Sequence, residues 1–219
     1  MRPDGLTYRG NFLSPDEERD LLAQIEQLPF HEVRMHGVVA RRTVIHFGYD
    51  YDYEGWKLFP ADPPPDFLEP LINRCAEAAG IDRARLAQFL VARYPAGSAI
   101  GWHRDAPMFG VPVIGVSFLS SCAMRFRRER GDGWETHAQL LEPRSLYILD
   151  GAARRQWQHS IPRTNGLRYS LTMRTLAGKQ PVSLKSGKHH ALGSRPEKGF
   201  ARRPCPRGDV SAGPESLFY

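Results

Sequence analysis

The sequence has little cysteine and no long apolar segment, and these two absences exclude several classes of protein. Its 219 residues include only Cys75, Cys122 and Cys205. This odd, widely spaced set argues against a disulfide framework or a structural zinc site. No apolar run approaches the ~20 residues needed to span a bilayer, and the first residues show no signal-peptide pattern. We therefore expect a cytoplasmic protein without a membrane partner, and we expect it to be a monomer.

Positive charge is concentrated towards the C-terminus. Residues 178–219 hold eight Lys/Arg against three acidic residues, which is +5 of the net charge of +6. The basic character therefore says little about whether the rest of the chain binds nucleic acid. The same segment mixes glycine and proline with scattered apolar residues and has neither a helical nor a strand period, which predicts a disordered basic tail.

Two helices and a series of short strands are predicted for the remainder. Ser14-Pro15-Asp16-Glu17 is a capping box with proline at the first helical position, so a helix is expected over Ser14–Leu28. A second apolar stripe predicts a helix over Phe67–Ala79. Seven or eight short strands follow between Gln88 and Leu176, separated mostly by Gly, Pro, Asp or Asn.

This order of elements predicts an α+β fold that is mainly β. We expect a double-stranded β-helix, or jelly roll, with the two N-terminal helices packed on one sheet. Residues 1–86 would supply the helices together with a basic and aromatic stretch, and residues 87–177 the jelly-roll core of the same domain. Residues 178–219 would be an appended tail.

Three residues form a candidate metal site. His103 and Asp105 are two residues apart, so on a strand they would point the same way. His159 lies in a strand-like run far enough along the chain to return beside them. Two histidines and one carboxylate form the facial triad that leaves positions open on iron(II).

The segment Arg168–Arg174 alternates between polar and apolar residues. Arg168, Ser170, Thr172 and Arg174 share one face of a predicted strand, and the apolar residues between them share the other. Two arginines on one face also fit a merely solvated strand. Beside a candidate iron site, however, they match a dicarboxylate, because arginine forms planar bidentate pairs with carboxylates.

Together these motifs resemble the AlkB-like iron(II)/2-oxoglutarate dioxygenases. The resemblance spans about Phe89 to Leu176. It is carried by Leu90–Gly97, by His103-x-Asp105, by Gly151 and Arg154 before His159, and by Arg168–Arg174.

The resemblance implies cofactors and site residues. Fe(II), 2-oxoglutarate and O2 are the expected cofactors, with His103, Asp105 and His159 as metal ligands. Tyr94 and Arg168 would hold the distal carboxylate of 2-oxoglutarate, and Arg174 would lie near its chelating end. Ser170 is placed in the cosubstrate site where many members have asparagine.

Candidate substrate residues come from a stretch of basic and aromatic residues over 34–56. Basic groups can hold phosphate and aromatic rings can stack on bases, as a nucleotide-reading flap requires. The resemblance implies that this region is a substrate lid, and a β-hairpin with an aromatic face packed inward is the alternative. The predicted contacts are Arg41, Arg42, Phe47, Tyr49 and Trp102.

A second basic region runs from Arg125 to Arg130. Such a run usually marks a solvated strand end and turn. With Arg154 and Arg155 it would instead form a phosphate-binding rim around the mouth of the site.

The resulting hypothesis is an oxygenase that removes alkyl groups from nucleic-acid bases, with DNA repair as its role. The partner would then be alkylated DNA or, as an alternative, RNA or tRNA. The same chemistry on a protein or small molecule is a second hypothesis. A metal-free jelly-roll binding module belongs to a different class and is a third.

Overall fold

The computed structural model of the protein describes residues 1–35, 38–52 and 57–178. The predicted basic tail lies outside the described residues from 179 onwards, and so do residues 36–37 and 53–56 of the predicted flap. The described helices are α1 (Pro15–Ile25), α2 (Glu69–Ala78) and the short α3 (Gly151–Arg155). Single 3₁₀ turns occupy Asp66–Leu68 and Arg83–Arg85.

The described residues form thirteen strands. They are β1 (Leu6–Arg9), β2 (His31–Met35), β3 (Val38–Phe47), β4 (Tyr49–Asp52), β5 (Lys57–Pro60), β6 (Leu86–Tyr94), β7 (Ile100–His103), β8 (Phe109–Phe118), β9 (Cys122–Arg130), β10 (Gly133–Leu141), β11 (Ser145–Leu149), β12 (Gln158–Ile161) and β13 (Arg168–Leu176).

These strands form two main sheets and one small one. The large sheet has the order β1-β11-β8-β13-β6-β3-β2, the second sheet β10-β9-β12-β7, and β4 pairs with β5 alone. All the pairs are antiparallel. The predicted antiparallel double-sheet architecture is therefore confirmed. Beyond the prediction, the N-terminal strands β1, β2 and β3 extend the large sheet at both edges.

The first hydrophobic core lies between the large sheet and the helices. Tyr169, Leu171 and Met173 of β13 all belong to this core. From the helical side it receives Ile25 of α1 and Ile72 of α2, both fully buried. The prediction that both helices cover one sheet is confirmed, because the apolar face of each strand must be removed from water.

A second core lies between the two sheets. The large sheet contributes Val113 and Leu149, and the smaller sheet contributes Met124 and Phe126. Trp157 is 1 % exposed and belongs to the same cluster. The polar face of β13 is directed towards this gap, so the gap holds both a hydrophobic core and the polar residues of the candidate site.

The start of α1 and an irregularity in β8 both follow from the local sequence. Ser14 accepts a hydrogen bond from the amide of Glu17, and the Glu17 carboxylate accepts one from the amide of Ser14, which confirms the capping box. Pro112 lies within β8 where the register with β13 shifts. At such an irregularity a residue without an N–H leaves no ladder bond unmade.

None of the described helices is long and apolar enough to cross a bilayer. The cytoplasmic location and the division into residues 1–86, 87–177 and 178–219 remain predictions.

Replacing Leu171 by Ala should destabilise the protein by about 2–5 kcal/mol, because the side chain is fully buried and its loss leaves a cavity in the helix-side core. Leu140→Ala is the same chemical change at a side chain that is 53 % exposed, and it should cost less than about 0.5 kcal/mol. Urea denaturation measures both. Equal losses would show that this core does not support the fold as described.

Candidate active site

The three predicted metal ligands lie together at the end of the second sheet. His103 of β7 stands directly across from His159 of β12, and the two ring centroids are 4.2 Å apart. Asp105 follows β7, and its Oδ2 is 3.9 Å from Nε2 of His159. One antiparallel strand pair thus brings together His103 and His159, which are more than fifty residues apart in the sequence.

The ligand set is assembled but not yet shaped as a metal centre. Nδ1 of His103 lies 3.0 Å from the carbonyl oxygen of Gly101. Across the three described stretches, no three His, Cys, Asp or Glu side chains already have the arrangement that holds an ion. The structure therefore supports the choice of residues, and their role as ligands remains a proposal.

Arg174 fixes the carboxylate of Asp105. Its Nε and Nη2 are both 2.7 Å from Oδ1 of Asp105, which is a charge-assisted double contact. Nη1 of the same guanidinium donates to Oε1 of Gln88 at 2.8 Å. Gln88 and Arg174 stand opposite each other on β6 and β13. Residues of the large sheet therefore hold the carboxylate of Asp105 in position.

The electrostatics of the site favour the protonation states that bind metal. Burial acts to raise the pKa of Asp105, but the Arg174 charge and its neighbours outweigh burial and lower the pKa below its usual range. Burial, followed by the nearby His103, lowers the pKa of His159 to about 3. The carboxyl is therefore ionised and the imidazole neutral at physiological pH, as coordination requires.

Arg168 lies at the other end of the polar face of β13 and is 1 % exposed. Its Nε donates to the Ser117 hydroxyl at 3.0 Å, and its guanidinium carbon lies 4.9 Å from the ring centre of Tyr94. Nη1 is buried without a hydrogen-bond partner, and no carboxylate in the described part of the chain forms a salt bridge with this arginine. A buried cation with an unused donor is what a bound carboxylate would satisfy.

The predicted cosubstrate residues therefore share one face of the large sheet. Tyr94 pairs with Arg168, and Ala92 pairs with Ser170, which is 3 % exposed. Ser117 faces Ser170 from the other side. These groups fit a dicarboxylate in chemistry and in position.

Arg154 is not part of a phosphate-binding rim. It is 8 % exposed, and its Nη2 donates to the carbonyl oxygens of Ala106 and Phe109 at 3.1 and 2.8 Å. It thereby ties α3 to the turn that follows Asp105, while Arg155 is exposed. The rim hypothesis is wrong for Arg154, because the side chain is used to satisfy backbone carbonyls of the site itself.

Three of the predicted substrate residues have side chains that are exposed or half-buried, and the other two point away from the site. Arg42 is half-buried, and its charge contributes to lowering the pKa of His103, behind the larger effect of burial. Arg41 is exposed beside Gly97. Tyr49 opens β4 and is half-buried.

Two of the predicted substrate residues point away from the site. Phe47 is 6 % exposed within the helix-side core, so it cannot stack on a substrate in the gap. Trp102 packs on Arg127 on the outer surface of the second sheet, with the guanidinium carbon 4.5 Å from the ring centre. Neighbours on a strand face opposite ways, so Trp102 must turn outwards where His103 turns inwards.

The small β4–β5 hairpin does reach the site wall. The ring of Tyr51 packs edge-on against Phe109 at 5.8 Å, and the guanidinium carbon of Arg174 lies 5.0 Å from the centre of the same ring. Tyr51 therefore belongs with the predicted lid, although Tyr49 was the residue singled out by sequence.

Sequence reasoning missed three buried residues with polar groups at the site, and it gave Arg154 a different role. Gln88 and Ser117 each interrupt an apolar strand, and that interruption was the available signal. Arg154 depends on loop packing, and Tyr147 on the pairing of distant strands, so neither has a local signal. The three missed residues are Gln88, Ser117 and Tyr147.

Comparison with known proteins identifies the family. A model described as the 2OG-Fe(II) oxygenase superfamily matches residues 5–175. The chain belongs to this superfamily.

Relatives place this oxygenase among the AlkB-like members. It is 29% identical over 72% of its length to the Alkylated DNA repair protein ALKBH8 homolog of Arabidopsis thaliana, of which it spans 52%. It is 27% identical to the tRNA (carboxymethyluridine(34)-5-O)-methyltransferase alkbh8 of Xenopus tropicalis over 73% of its length, but spans only 25% of that protein. It is 27% identical to Alpha-ketoglutarate-dependent dioxygenase AlkB of Escherichia coli (strain K12), over 74% of this chain and 84% of that one.

The fold agrees with this placement. The solved structure of OsALKBH1 superposes with a TM-score of 0.61, covers 80% of this oxygenase and 98% of that chain, and is 17% identical. The jelly-roll prediction is confirmed. Membership of the superfamily implies Fe(II), 2-oxoglutarate and O2 as cofactors, and it confirms the predicted enzyme class over the metal-free binding module.

Stability of the metal-free oxygenase should fall in acid through His46, which faces the site from β3. Burial lowers the pKa of His46 to about 4 from 6.5, against the opposing pull of Asp50, whose Oδ1 lies 2.6 Å from Nδ1. The unfolded chain therefore takes up a proton below pH 6.5 that the folded chain refuses. The stabilisation is complete above that pH and is lost as pH falls towards 4, by about 1.4 kcal/mol per pH unit.

Unfolding free energies measured with a chelator between pH 7 and 5 test this. His46→Gln should show a shallower fall than the wild type. Parallel curves for the wild type and His46→Gln would contradict the assignment.

Proposed function

We propose that this oxygenase removes alkyl groups oxidatively from nucleic-acid bases, with alkylated DNA as its substrate and DNA repair as its role. The observation that carries the proposal is the pairing of two anchors across one gap. His103, Asp105 and His159 stand at one end, and the partnerless Nη1 of Arg168 stands at the other. Names of two relatives, the Arabidopsis repair protein homolog and AlkB, support the same chemistry.

In this proposal His103, Asp105 and His159 hold Fe(II). Arg168 and Tyr94 hold the distal carboxylate of 2-oxoglutarate, Ser170 lines the path between them, and Arg174 keeps Asp105 ionised and oriented. When bound, iron and 2-oxoglutarate supply the O2-dependent oxidation of a C–H bond, with 2-oxoglutarate converted to succinate and carbon dioxide. On an N-alkyl group the oxidised carbon leaves as an aldehyde.

The protein's own contribution is placement and exclusion of water. Asp105 is buried, and its partner Arg174 is fixed by a second contact with Gln88. Arg154 fixes the turn after Asp105 through two backbone carbonyls. Second contacts of this kind hold ligands in position before the metal binds.

Basic and aromatic side chains outside the gap favour a nucleic-acid substrate. Arg127 is clamped between Trp102 and Trp134, whose ring centres lie 4.5 and 4.2 Å from its guanidinium carbon. A cleft of about 580 Å³ is lined by Arg104, Arg128 and Arg130 together with Met1, Glu129 and Gln156. Arginines of this kind suit phosphates, and a base for oxidation would be flipped out of its stack into the gap.

RNA is the second candidate substrate, because relatives in Xenopus and mouse carry names that refer to tRNA. The chain spans about a quarter of those proteins, so the shared region is the oxygenase part alone. The same assay separates the two nucleic acids.

An alkylated oligonucleotide should accelerate succinate release. The assay begins with anaerobic Fe(II) and 2-oxoglutarate binding, then adds O2 with methylated or etheno-adducted DNA, the matched RNA, or unmodified strands. The His103→Ala variant should not bind iron and should not release succinate, because it lacks one of the three proposed ligands. Faster turnover with alkylated DNA than with alkylated RNA supports repair of DNA.

Other results would revise the proposal in defined ways. Faster turnover with RNA would move the substrate to RNA. Binding of iron and 2-oxoglutarate without acceleration by any strand would leave the oxygenase but overturn a nucleic-acid substrate. Unchanged iron binding in His103→Ala would overturn the ligand assignment.

Arg168→Gln should weaken 2-oxoglutarate binding by roughly 10- to 100-fold, since charged hydrogen bonds contribute about 1.5–3 kcal/mol. Arg125→Gln makes the same change at an exposed position on β9 and should leave the affinity unchanged. Calorimetry with Mn(II) in place of iron measures both without turnover. An affinity for Arg168→Gln equal to that of wild type would place the distal carboxylate elsewhere.

A further inference from the structure

The second sheet has an outer face, on the side away from the gap, that carries exposed side chains. His159 faces the gap, so its neighbour Gln158 faces outwards. Gln158 stands opposite Arg127, and Arg127 stands opposite Thr136 of the edge strand β10. Directly opposed residues share a face, so Arg127 lies in the middle of this outer face. Thr136 and, two residues before it, Trp134 are both exposed.

A stack of three planar groups stands on this face. The guanidinium carbon of Arg127 is 4.5 Å from the ring centre of Trp102 and 4.2 Å from that of Trp134. Its Nε donates to Oε1 of Gln158 at 2.8 Å. The hydrogen bond and the two rings together hold the guanidinium in one orientation. Trp134 is thereby positioned from its Arg127 side, and yet the residue is 49 % exposed.

Hydrophobic packing does not account for Trp134. Within the described residues it belongs to none of the hydrophobic clusters. The Arg127 guanidinium covers one face of the indole and leaves the rest of its apolar surface in contact with water, which is unfavourable. A second flat group stacked on the open face of the ring would remove most of that surface from water.

The positive charge of the outer face is not neutralised by the fold. Arg127 and the exposed Arg125 form no salt bridge in the described part of the chain. By contrast, Arg128 and Arg130 of the same strand both pair with Glu135. The alternation of β9 therefore separates its arginines into a paired set on one face and a set without salt bridges on the outer face.

Aromatic rings alternating with a guanidinium, on a positively charged face, are complementary to a single strand of nucleic acid. One acidic residue, Glu129 opposite Trp134, offsets part of this charge. The bases of a duplex are covered by their neighbours in the stack, so only an unpaired base can lie on Trp134. A protein partner fits this face less well, because Leu140, the other large apolar side chain exposed on β10, lies about 20 Å from Trp134 along the strand.

We propose that the outer face of the second sheet binds unpaired nucleotides that flank the target base, with one base stacked on Trp134 and a phosphate beside Arg127. Trp102 precedes His103 on β7, so the stack begins on the reverse side of the strand that carries a proposed metal ligand. β7 is an edge strand of this sheet. A nucleic-acid strand whose target base enters the gap therefore reaches the outer face by passing around β7. This inference rests on the proposed function, because it requires a nucleic-acid substrate.

Trp134→Ala should weaken the binding of an unmodified thymidine single strand by roughly 5- to 150-fold, because it removes a stacked base contact. Trp134→Phe should keep most of the affinity, since it retains a ring. Leu140→Ala is the matched control, because it removes an exposed apolar side chain from the same strand, and it should leave the affinity unchanged. A duplex of the same length should bind to the wild type and to Trp134→Ala equally.

Salt dependence separates the charge from the ring. Arg127→Gln should reduce the slope of log affinity against log salt concentration by about 0.7, because one phosphate contact to a single strand is lost. Trp134→Ala should weaken binding at every salt concentration and leave that slope unchanged. Fluorescence anisotropy of the labelled strand with the Mn(II)-loaded full chain measures all these affinities, and circular dichroism confirms that each variant is folded.

Turnover shows whether the bound strand is the flank of the substrate. On an alkylated single strand, Trp134→Ala should raise the KM for the strand and leave kcat unchanged, because the stack lies outside the gap. On a single alkylated nucleotide, which has no flank, Trp134→Ala and the wild type should release succinate at equal rates.

The outcomes distinguish this inference from the proposed function. Wild-type affinity for the single strand in Trp134→Ala, or an equal loss of affinity for single strand and duplex, would overturn the inference. The proposed function would then still stand if alkylated strands accelerated succinate release. If no strand accelerated it, the proposed function would fall, and with it the assignment of this face to the flank of a substrate.

Discussion

The ion pair between Arg174 and Asp105 is the contact on which the rest of the site depends. It joins β13 of the large sheet to the turn after β7 of the second sheet through two contacts of 2.7 Å. Burying two charges costs free energy that their attraction only partly offsets, so such a pair is weak evidence for stability. Its consequence here is positional, because it fixes one oxygen of Asp105 and leaves the other directed to His159.

The alternation of β13 explains why this contact sits between the sheets. The apolar residues of the strand are removed from water only if the helices cover that face, and α1 and α2 do so. Arg168, Ser170, Thr172 and Arg174 are then forced to the other face, where the second sheet closes over them. One strand with a period of two residues therefore determines both the layer order of the fold and the polar wall of the site.

The same rule decides what could be predicted from the sequence. The alternation of side chains along a strand correctly grouped His103 with Asp105 and the polar residues of β13 with one another. The same alternation excludes Trp102 from the gap, because the neighbour of an inward-facing His103 must face outwards. Phe47 fails for the same reason beside His46. The alternation does not predict the positions of Arg154 and Tyr147. The position of Arg154 depends on the packing of a turn, and that of Tyr147 depends on which strands pair.

The charges of the arginines in the gap bear on how the proposed cosubstrate would bind. Among the described residues, Arg154, Arg168 and Arg174 lie in or beside the gap, Arg174 is paired with the carboxylate of Asp105, and burial keeps His159 neutral. Arg168 is the member of this set whose buried guanidinium has an N–H without a partner and no salt bridge among the described residues. Buried charges are stable only when they are paired, and 2-oxoglutarate carries two negative charges. Because Arg168 is held on a strand of the large sheet, the proposed contact with the distal carboxylate of 2-oxoglutarate would complete an ion pair whose cationic half the fold already holds in place.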